Sequence, residues 1–204
     1  MIAKANDVWL VRHGSTEWSA LGRHTGRTDL PLSSDGIAEA LAVGHRLHHH
    51  HFTAVLSSPL QRAVETCRLA GFARRVETDA DLMEWDYGAY EGRRTAEIQA
   101  ERPDWNVFDH GCPEGESAAE VGRRVDRLIA RVQAADGDVL VFAHGHLLRV
   151  LGARWLGLDP GLGRCFALAP ATLSELGWEH GRPILVRWND AEGTPPAARL
   201  TTRL

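Results

Sequence analysis

The chain has 204 residues and a formal net charge of −4, with 44% hydrophobic and 25% charged residues. These values are typical of a globular protein long enough for one α/β domain, which we assign to residues 1–204. They argue against a nucleic-acid partner, since the basic residues form no cationic stripe, and against a membrane partner, since no apolar segment could span a bilayer.

The cysteines and the N-terminus indicate where the protein works. Cys67, Cys112 and Cys165 are an odd number at wide spacing, which fits neither a disulfide framework nor a zinc site. The first seven residues lack the charged-then-apolar layout of a signal peptide. We therefore expect a protein of the reducing cytoplasm.

Strand-like and helical segments alternate along the first three quarters of the chain, which favours an α/β fold. Strands are predicted at residues 7–11, 54–57, 76–78 and 138–143, the last apolar enough for a central parallel strand. Helices are predicted at 35–48 with Ser33 or Ser34 as the cap, from Ser58 with Gln61 completing a capping box, around 95–101, from Ser117 to about Ala134, and from about 145 through Trp155. Residues 79–92 are expected to form an ordered loop.

The last quarter of the chain adds three strand-like segments, at residues 164–168, 173–178 and 184–188. Two of them are expected to pair as a hairpin through His180 and Gly181 at the sheet edge. Residues 189–204 are predicted to be a loose tail. The expected architecture is a three-layer α/β/α sandwich with a mostly parallel central sheet and an antiparallel edge strand.

Basic side chains follow three of the predicted strands. Arg12 and His13 come after the first, Arg62 lies one turn inside the helix after the second, and His144 follows the strand that ends near Ala143. Because the carboxyl ends of parallel strands meet at one edge of a sheet, these side chains should converge. Two arginines and two histidines make a cationic pocket that selects a small dianion such as a phosphate ester.

Four motifs in order resemble the histidine phosphatase superfamily, in its phosphoglycerate-mutase-like branch. They are Arg12-His13-Gly14, Ser57-Ser58-Pro59-Leu60-Gln61-Arg62-Ala63, the segment 82–92 around Glu84, and Ala143-His144-Gly145-His146. The resemblance implies that His13 is a nucleophile that becomes phosphorylated, while Arg12, Arg62 and His144 hold the phosphoryl oxygens. It also implies that Glu84 acts as general acid and then as general base.

The resemblance extends to residues that would contact the substrate, and to cofactors and partners. The matching positions are Ser15, Thr16, Ser19, Thr25, Gly26, Tyr87 and Gly145. It implies a small phosphorylated substrate, no cofactor, no metal and a homodimer, with an acidic pH optimum because Glu84 must be protonated to act as an acid. His24 fits the pocket and an exposed loop about equally well.

Several alternatives to a broad-specificity acid phosphatase stay open. A sugar-bisphosphatase of the sedoheptulose 1,7-bisphosphatase kind would need a second cationic patch, for which Arg23, Arg27, Arg93 and Arg94 are candidates. A cofactor-dependent phosphoglycerate mutase is disfavoured by the short segment between Glu84 and His144. A non-catalytic phospho-ligand binder is disfavoured by the presence of His13 and Glu84. A metal-dependent hydrolase would need ligands from the run of histidines at 48–51 or from His144 and His146.

Overall fold

A six-stranded mixed sheet forms the centre of the computed structural model, which describes residues 6–191. Its strands are β1 (Val8–Arg12), β2 (Ala54–Ser57), β3 (Val76–Thr78), β4 (Val139–Ala143), β5 (Leu173–Glu179) and β6 (Arg182–Asp190). They pair in the order β3-β2-β4-β1-β5-β6. The first four of these are mutually parallel, and β5 runs antiparallel to both β1 and β6. The predicted mostly parallel sheet is confirmed.

Helices cover both faces of the sheet. Seven α-helices occur within residues 6–191, namely α1 (Glu17–Ala20), α2 (Ser34–Leu47), α3 (Gln61–Leu69), α4 (Thr95–Glu101), α5 (Val107–His110), α6 (Ala118–Gln133) and α7 (Gly145–Trp155). Trp9 and Val11 of β1 belong to an apolar cluster with α2 and α3. Val8 and Leu10 point the other way, into a cluster with α6 and α7. Alternation along β1 therefore builds the three expected layers.

The register of the central strands places the basic motifs side by side. Arg12 pairs with Ala143 across β1 and β4, and Ser57 pairs with Phe142 across β2 and β4. The residues just beyond these strand ends, His13, His144 and Ser58, therefore share one edge of the sheet. The N–H of His13 donates to the carbonyl oxygen of Ala143 at 3.0 Å, which extends the ladder by one residue.

Three local predictions are wrong. Helix α3 begins at Gln61 without a side-chain cap from Ser58, because Ser58 Oγ lies against His144 and Asp29 Oδ1 accepts from the Gln61 N–H instead. The strand predicted at 164–168 is absent, since a 3-10 helix spans Pro160–Cys165. The expected tail begins two residues too early, because β6 includes Asn189 and Asp190, and residues 192–204 lie outside the described part.

Short helical turns are the main addition to the predicted elements. A capping box between Thr16 and Ser19 stabilises the N-terminus of α1, and α5 begins after Asn106. Two 3-10 turns, Ala80–Leu82 and Gly88–Tyr90, order the segment that carries Glu84. Within residues 6–191, no helix combines the length and apolar character required to cross a membrane.

Candidate active site

A cavity of about 190 Å³ lies at the carboxyl end of β1, and it brings together most of the predicted site residues. Among its lining residues are eight that the sequence singled out, namely Arg12, His13, Thr16, Ser19, Thr25, Glu84, Tyr87 and Gly145. His24, which the sequence left undecided, also lines this cavity. The remaining lining residues are Gly22, Arg23, His146, Arg149 and Leu168.

His13 is held with one ring nitrogen engaged. Its Nδ1 lies 2.7 Å from the carbonyl oxygen of Gly14. Because a carbonyl oxygen can only accept, Nδ1 carries the proton, and Nε2 keeps its lone pair. Burial lowers the pKa of His13 well below its ordinary value, and the charges of Arg62 and Arg12 lower it further. The ring is therefore neutral at pH values where an exposed histidine is protonated.

Arg62 and His144 form a buried layer beside His13. The His13 and His144 rings are 5.1 Å apart between centroids, and Arg62 Nε donates to His144 Nδ1 at 3.2 Å. His144 Nε2 consequently bears the proton and donates to Ser58 Oγ at 2.7 Å. Burial is also the main cause that lowers the pKa of His144 well below its ordinary value. Ser58 is a supporting residue that the sequence analysis assigned to a helix cap.

The two site arginines are satisfied by carbonyl oxygens rather than carboxylates. Arg62 donates to the carbonyl oxygens of Thr25, Gly26 and Thr28, and Arg12 donates to that of Leu168. Arg12 Nε is a buried donor without a hydrogen-bond partner among the described residues. Neither guanidinium group forms an ion pair within residues 6–191, and Glu84 is the carboxylate whose charge acts on both of them. Two arginine charges thus face one carboxylate, which favours an anion in the cavity.

Glu84 enters the cavity at the N-terminus of α7. Its Oε2 accepts from the His146 N–H at 3.0 Å, and its Oε1 accepts from the N–H groups of Leu147 and Trp85, both at 2.9 Å. These three backbone donors fix the carboxyl group within the same cavity as His13. The arrangement places a carboxyl group, which can transfer a proton, in the same cavity as a ring nitrogen that keeps its lone pair.

Two predicted contact residues lie outside the cavity lining. Ser15 donates to Glu39 through its N–H at 2.7 Å and its hydroxyl at 2.9 Å. Gly26 is buried, and its N–H donates to Glu91 at 2.9 Å. These hydrogen bonds fix the loops around the cavity, and the Gly26 carbonyl oxygen also accepts a hydrogen bond from Arg62.

A close contact between two glycines fixes the loop that carries His13. A Cβ atom on Gly14 would overlap the carbonyl oxygen of Gly36 in the first turn of α2, and a Cβ atom on Gly36 would overlap the carbonyl oxygen of Ser15. The N–H of Ser33 also donates to the Ser15 carbonyl oxygen at 2.9 Å. Only glycine at both positions permits this approach.

The sequence analysis missed His146 and Arg149 as members of this cavity. Both lie on α7, and Arg149 follows Gly145 by four residues and His146 by three, a helical spacing that could have indicated Arg149. The Tyr87 hydroxyl and His146 Nδ1 are hydrogen-bonded at 2.5 Å. Of the bisphosphatase candidates, Arg23 lines the cavity, and Arg27, Arg93 and Arg94 do not. No group of three or more potential metal-ligating side chains occurs within residues 6–191.

A family model and several known proteins match most of this chain. Residues 8–191 match the histidine phosphatase superfamily (branch 1). An acid phosphatase from Mycobacterium tuberculosis is 42% identical over 176 residues, which cover 84% of this chain and 86% of that protein. Sedoheptulose 1,7-bisphosphatase from Saccharomyces cerevisiae is 40% identical over 182 residues, covering 73% of this chain and 67% of that protein.

A relative with a mutase name and a solved structure extend this comparison. The probable phosphoglycerate mutase GpmB of Yersinia enterocolitica is 31% identical and covers 89% of each chain. The solved structure of the Mycobacterium tuberculosis Rv3214 product superposes with a TM-score of 0.87 at 39% identity, covering 91% of this chain and 97% of that one. The predicted family is confirmed, and the chain is a phosphatase of the histidine phosphatase superfamily, branch 1.

Proposed function

We propose that this phosphatase is a phosphomonoester hydrolase of the acid phosphatase type, which works through a phosphohistidine at His13 without a metal or a cofactor. The observation that carries the proposal is the hydrogen bond from His13 Nδ1 to the Gly14 carbonyl oxygen, which leaves Nε2 as the free nucleophilic nitrogen. The charges of Arg12 and Arg62, which hydrogen-bond to carbonyl oxygens and a ring nitrogen and form no ion pair among the described residues, support a phosphoryl group as the electrophile.

In the first step, the lone pair of His13 Nε2 attacks the phosphorus atom, and the bond from phosphorus to the ester oxygen breaks. The leaving oxygen takes a proton from the Glu84 carboxyl group, so an alcohol departs. Arg12 and Arg62 stabilise the negative charge that spreads over the other phosphoryl oxygens, and His144 joins them when its Nε2–H donates to a phosphoryl oxygen in place of Ser58 Oγ. The buried position of these groups strengthens that stabilisation.

In the second step, the Glu84 carboxylate removes a proton from a water molecule, and the water oxygen attacks the phosphohistidine. The bond between phosphorus and Nε2 breaks, which returns the lone pair to His13 and releases inorganic phosphate. Glu84 is then protonated again for the next ester. The same carboxyl group serves both steps because three backbone N–H groups keep it in the cavity.

Other groups of the cavity complete the site. We assign contacts with the ester to Thr16, Ser19, Thr25, Tyr87 and Gly145, which line the cavity with His13. Arginine side chains supply the positive charge that magnesium supplies in many phosphoryl-transfer enzymes. The 42% identity to an acid phosphatase supports hydrolysis as the reaction.

The test compares wild type with His13→Ala on p-nitrophenyl phosphate in the presence of EDTA. His49→Ala is the matched control, because His49 is exposed and lies away from the cavity. We expect full turnover for wild type and the control, and none for His13→Ala. A rapid quench with ³²P-labelled substrate should trap a label on the protein that survives alkali and is lost in acid. Loss of turnover with EDTA, or turnover by His13→Ala, would overturn the proposal.

A further inference from the structure

The side chain of Arg12 has a single hydrogen-bond acceptor within residues 6–191, the carbonyl oxygen of Leu168, to which Nη1 donates. The guanidinium group also packs against the first residue of α7, because a Cβ atom on Gly145 would lie 3.3 Å from Arg12 Cζ. Arg12 Nε is buried and has no partner among the described residues. This donor is available to a phosphoryl oxygen, and its direction depends on where the Leu168 carbonyl oxygen holds the planar group.

Leu168 belongs to a segment, residues 166–171, that forms neither helix nor strand. The Leu168 side chain lines the catalytic cavity. The segment ends against β1, because the Ala171 N–H donates to the carbonyl oxygens of Arg12 and His13, at 3.0 and 3.2 Å. Since the segment has no regular hydrogen-bond ladder of its own, its conformation depends on contacts with other elements.

Such contacts come from the end of β6, which is an outer strand of the sheet. The Ala169 N–H donates to Asn189 Oδ1 at 2.7 Å. Trp188 Nε1 donates to the Ala167 carbonyl oxygen at 2.6 Å. Two neighbouring residues of β6 thus hold the main chain of the segment on either side of its contact with Arg12.

A bulge in β6 explains why both of these side chains reach the segment. The register shifts between Leu173 and Glu175 of β5, so that two residues of β6, Trp188 and Asn189, lie opposite one residue of β5. A bulge re-aims side chains that regular alternation would send to opposite faces of the sheet. Asn189 has a φ of +56°, in the left-handed region that asparagine tolerates better than most residues.

We propose that Asn189 is a positioning residue for Arg12. Its side-chain oxygen holds segment 166–171 in the conformation in which the Leu168 carbonyl oxygen orients the guanidinium group for the phosphoryl group. The inference rests on the proposed function, because the phosphoryl group that Arg12 stabilises is the one transferred to His13. Asn189 does not line the cavity, so it acts on the reaction through Leu168 and Arg12.

The first test compares variants of Asn189 on p-nitrophenyl phosphate. Asn189→Gly removes the acceptor but fits the positive φ, so it should lower kcat/KM by about tenfold through misplacement of Arg12 without backbone strain. Asn189→Asp keeps an oxygen that accepts from the Ala169 N–H, and it should restore the wild-type kcat/KM. Asn189→Ala also lacks the acceptor and repeats the test if Asn189→Gly does not fold. A wild-type kcat/KM without the acceptor would overturn the inference.

A control and a double variant make the result specific. Arg187→Met is the matched control, because Arg187 lies on the same strand and pairs with Asp190 at 2.8 Å, but has no hydrogen bond to segment 166–171 among the described residues. It should keep the wild-type kcat/KM. In an Arg12→Met background no guanidinium group is left to orient, so Asn189→Gly should cause no further loss. Equal losses in the two backgrounds, or the same loss in Arg187→Met, would show a general effect on the fold and overturn the inference.

A measurement without turnover separates this inference from the proposed function. The Arg12 Nε–H signal in ¹⁵N NMR spectra, assigned with Arg12→Met, should be protected from exchange with water in wild type, because this donor is buried. Asn189→Gly should speed that exchange by about tenfold, and Asn189→Asp should not. Unchanged exchange in Asn189→Gly would overturn the inference. The proposed function is decided by EDTA-treated wild type against His13→Ala, and if it fails, the exchange rates still decide whether Asn189 positions Arg12.

Discussion

Arg124 on α6 donates through Nη2 to the main-chain carbonyl oxygen of Glu84, at 3.1 Å. The same guanidinium group donates from Nη1 to the carbonyl oxygens of Asp81 and Met83, at 2.8 and 2.6 Å. Its Nε and Nη2 also pair with Glu116, whose carboxylate accepts from the Asp86 N–H at 2.9 Å. One buried arginine thus fixes the main chain on both sides of the candidate general acid.

Replacement of Arg124 should affect catalysis through Glu84. We expect Arg124→Lys to lower kcat more for glycerol 3-phosphate than for p-nitrophenyl phosphate, by about tenfold, because a poor leaving group depends most on protonation. Arg124→Met removes one partner of a buried ion pair and should cost about 3 kcal/mol of folding stability. Steady-state kinetics with both esters and urea unfolding measure these effects. An equal loss for the two esters would mean that Arg124 stabilises the fold and does not position Glu84.

Glu84→Gln should lower kcat for alkyl phosphates by about a hundredfold to ten-thousandfold, since the amide cannot donate a proton as an acid does. Its single side-chain oxygen can replace Oε1 and accept from Leu147 and Trp85, but the NH2 group at the position of Oε2 cannot accept from the His146 N–H. Rapid-quench kinetics with p-nitrophenyl phosphate should show a burst, because phosphorylation of His13 tolerates the change better than hydrolysis does. Glu101→Gln is the control, as Glu101 is exposed and pairs with Arg93. A wild-type kcat for Glu84→Gln would exclude Glu84 as the acid.

His13 should stay neutral below pH 6.5. Burial is the main cause that lowers its pKa, and the charges of Arg62 and Arg12 act in the same direction. A lowered pKa keeps the lone pair available for attack as the pH falls, which is compatible with activity in mild acid. NMR titration of the histidine ring signals, assigned with His13→Ala, measures the value directly. Titration of His13 at pH 6.5 or above would contradict the described environment.

Folding stability should fall as the pH drops below about 6.5. Burial lowers the pKa of His24 to about 4, while in the unfolded chain an ordinary histidine binds its proton near pH 6.5. Between these values the unfolded state binds more protons, so each such histidine contributes a loss of up to about 1.4 kcal/mol per pH unit. Urea unfolding at pH 7, 6 and 5 should show this slope, and His24→Gln should reduce it. An identical slope in the variant would mean that His24 does not contribute to it.

The sequence was sufficient to predict the positions of the site residues that directly follow strand ends. Val8 to Val11 is an apolar run followed directly by Arg12 and His13, and the same pattern precedes His144, so parallel strands had to bring these groups to one edge. The three layers also followed, because residues of β1 alternate between two apolar clusters.

Other parts depend on contacts between distant segments, and the local sequence does not contain them. Ser58 has the pattern of a helix cap, yet its hydroxyl lies against His144, which is 86 residues further along the chain. Arg149 resembles an ordinary surface residue of α7 until the turn around Gly163 covers it. A one-turn helix such as α5 has too few residues for a periodic apolar pattern.

The glycine contact between the His13 loop and α2 restricts the motion of the cavity wall that carries His13. The backbones of Gly14 and Gly36 are in close contact, so the His13 loop and the first turn of α2 must move as one unit. Their amide protons should exchange with solvent only through large-scale unfolding. The nucleophile therefore stays preorganised before the substrate arrives.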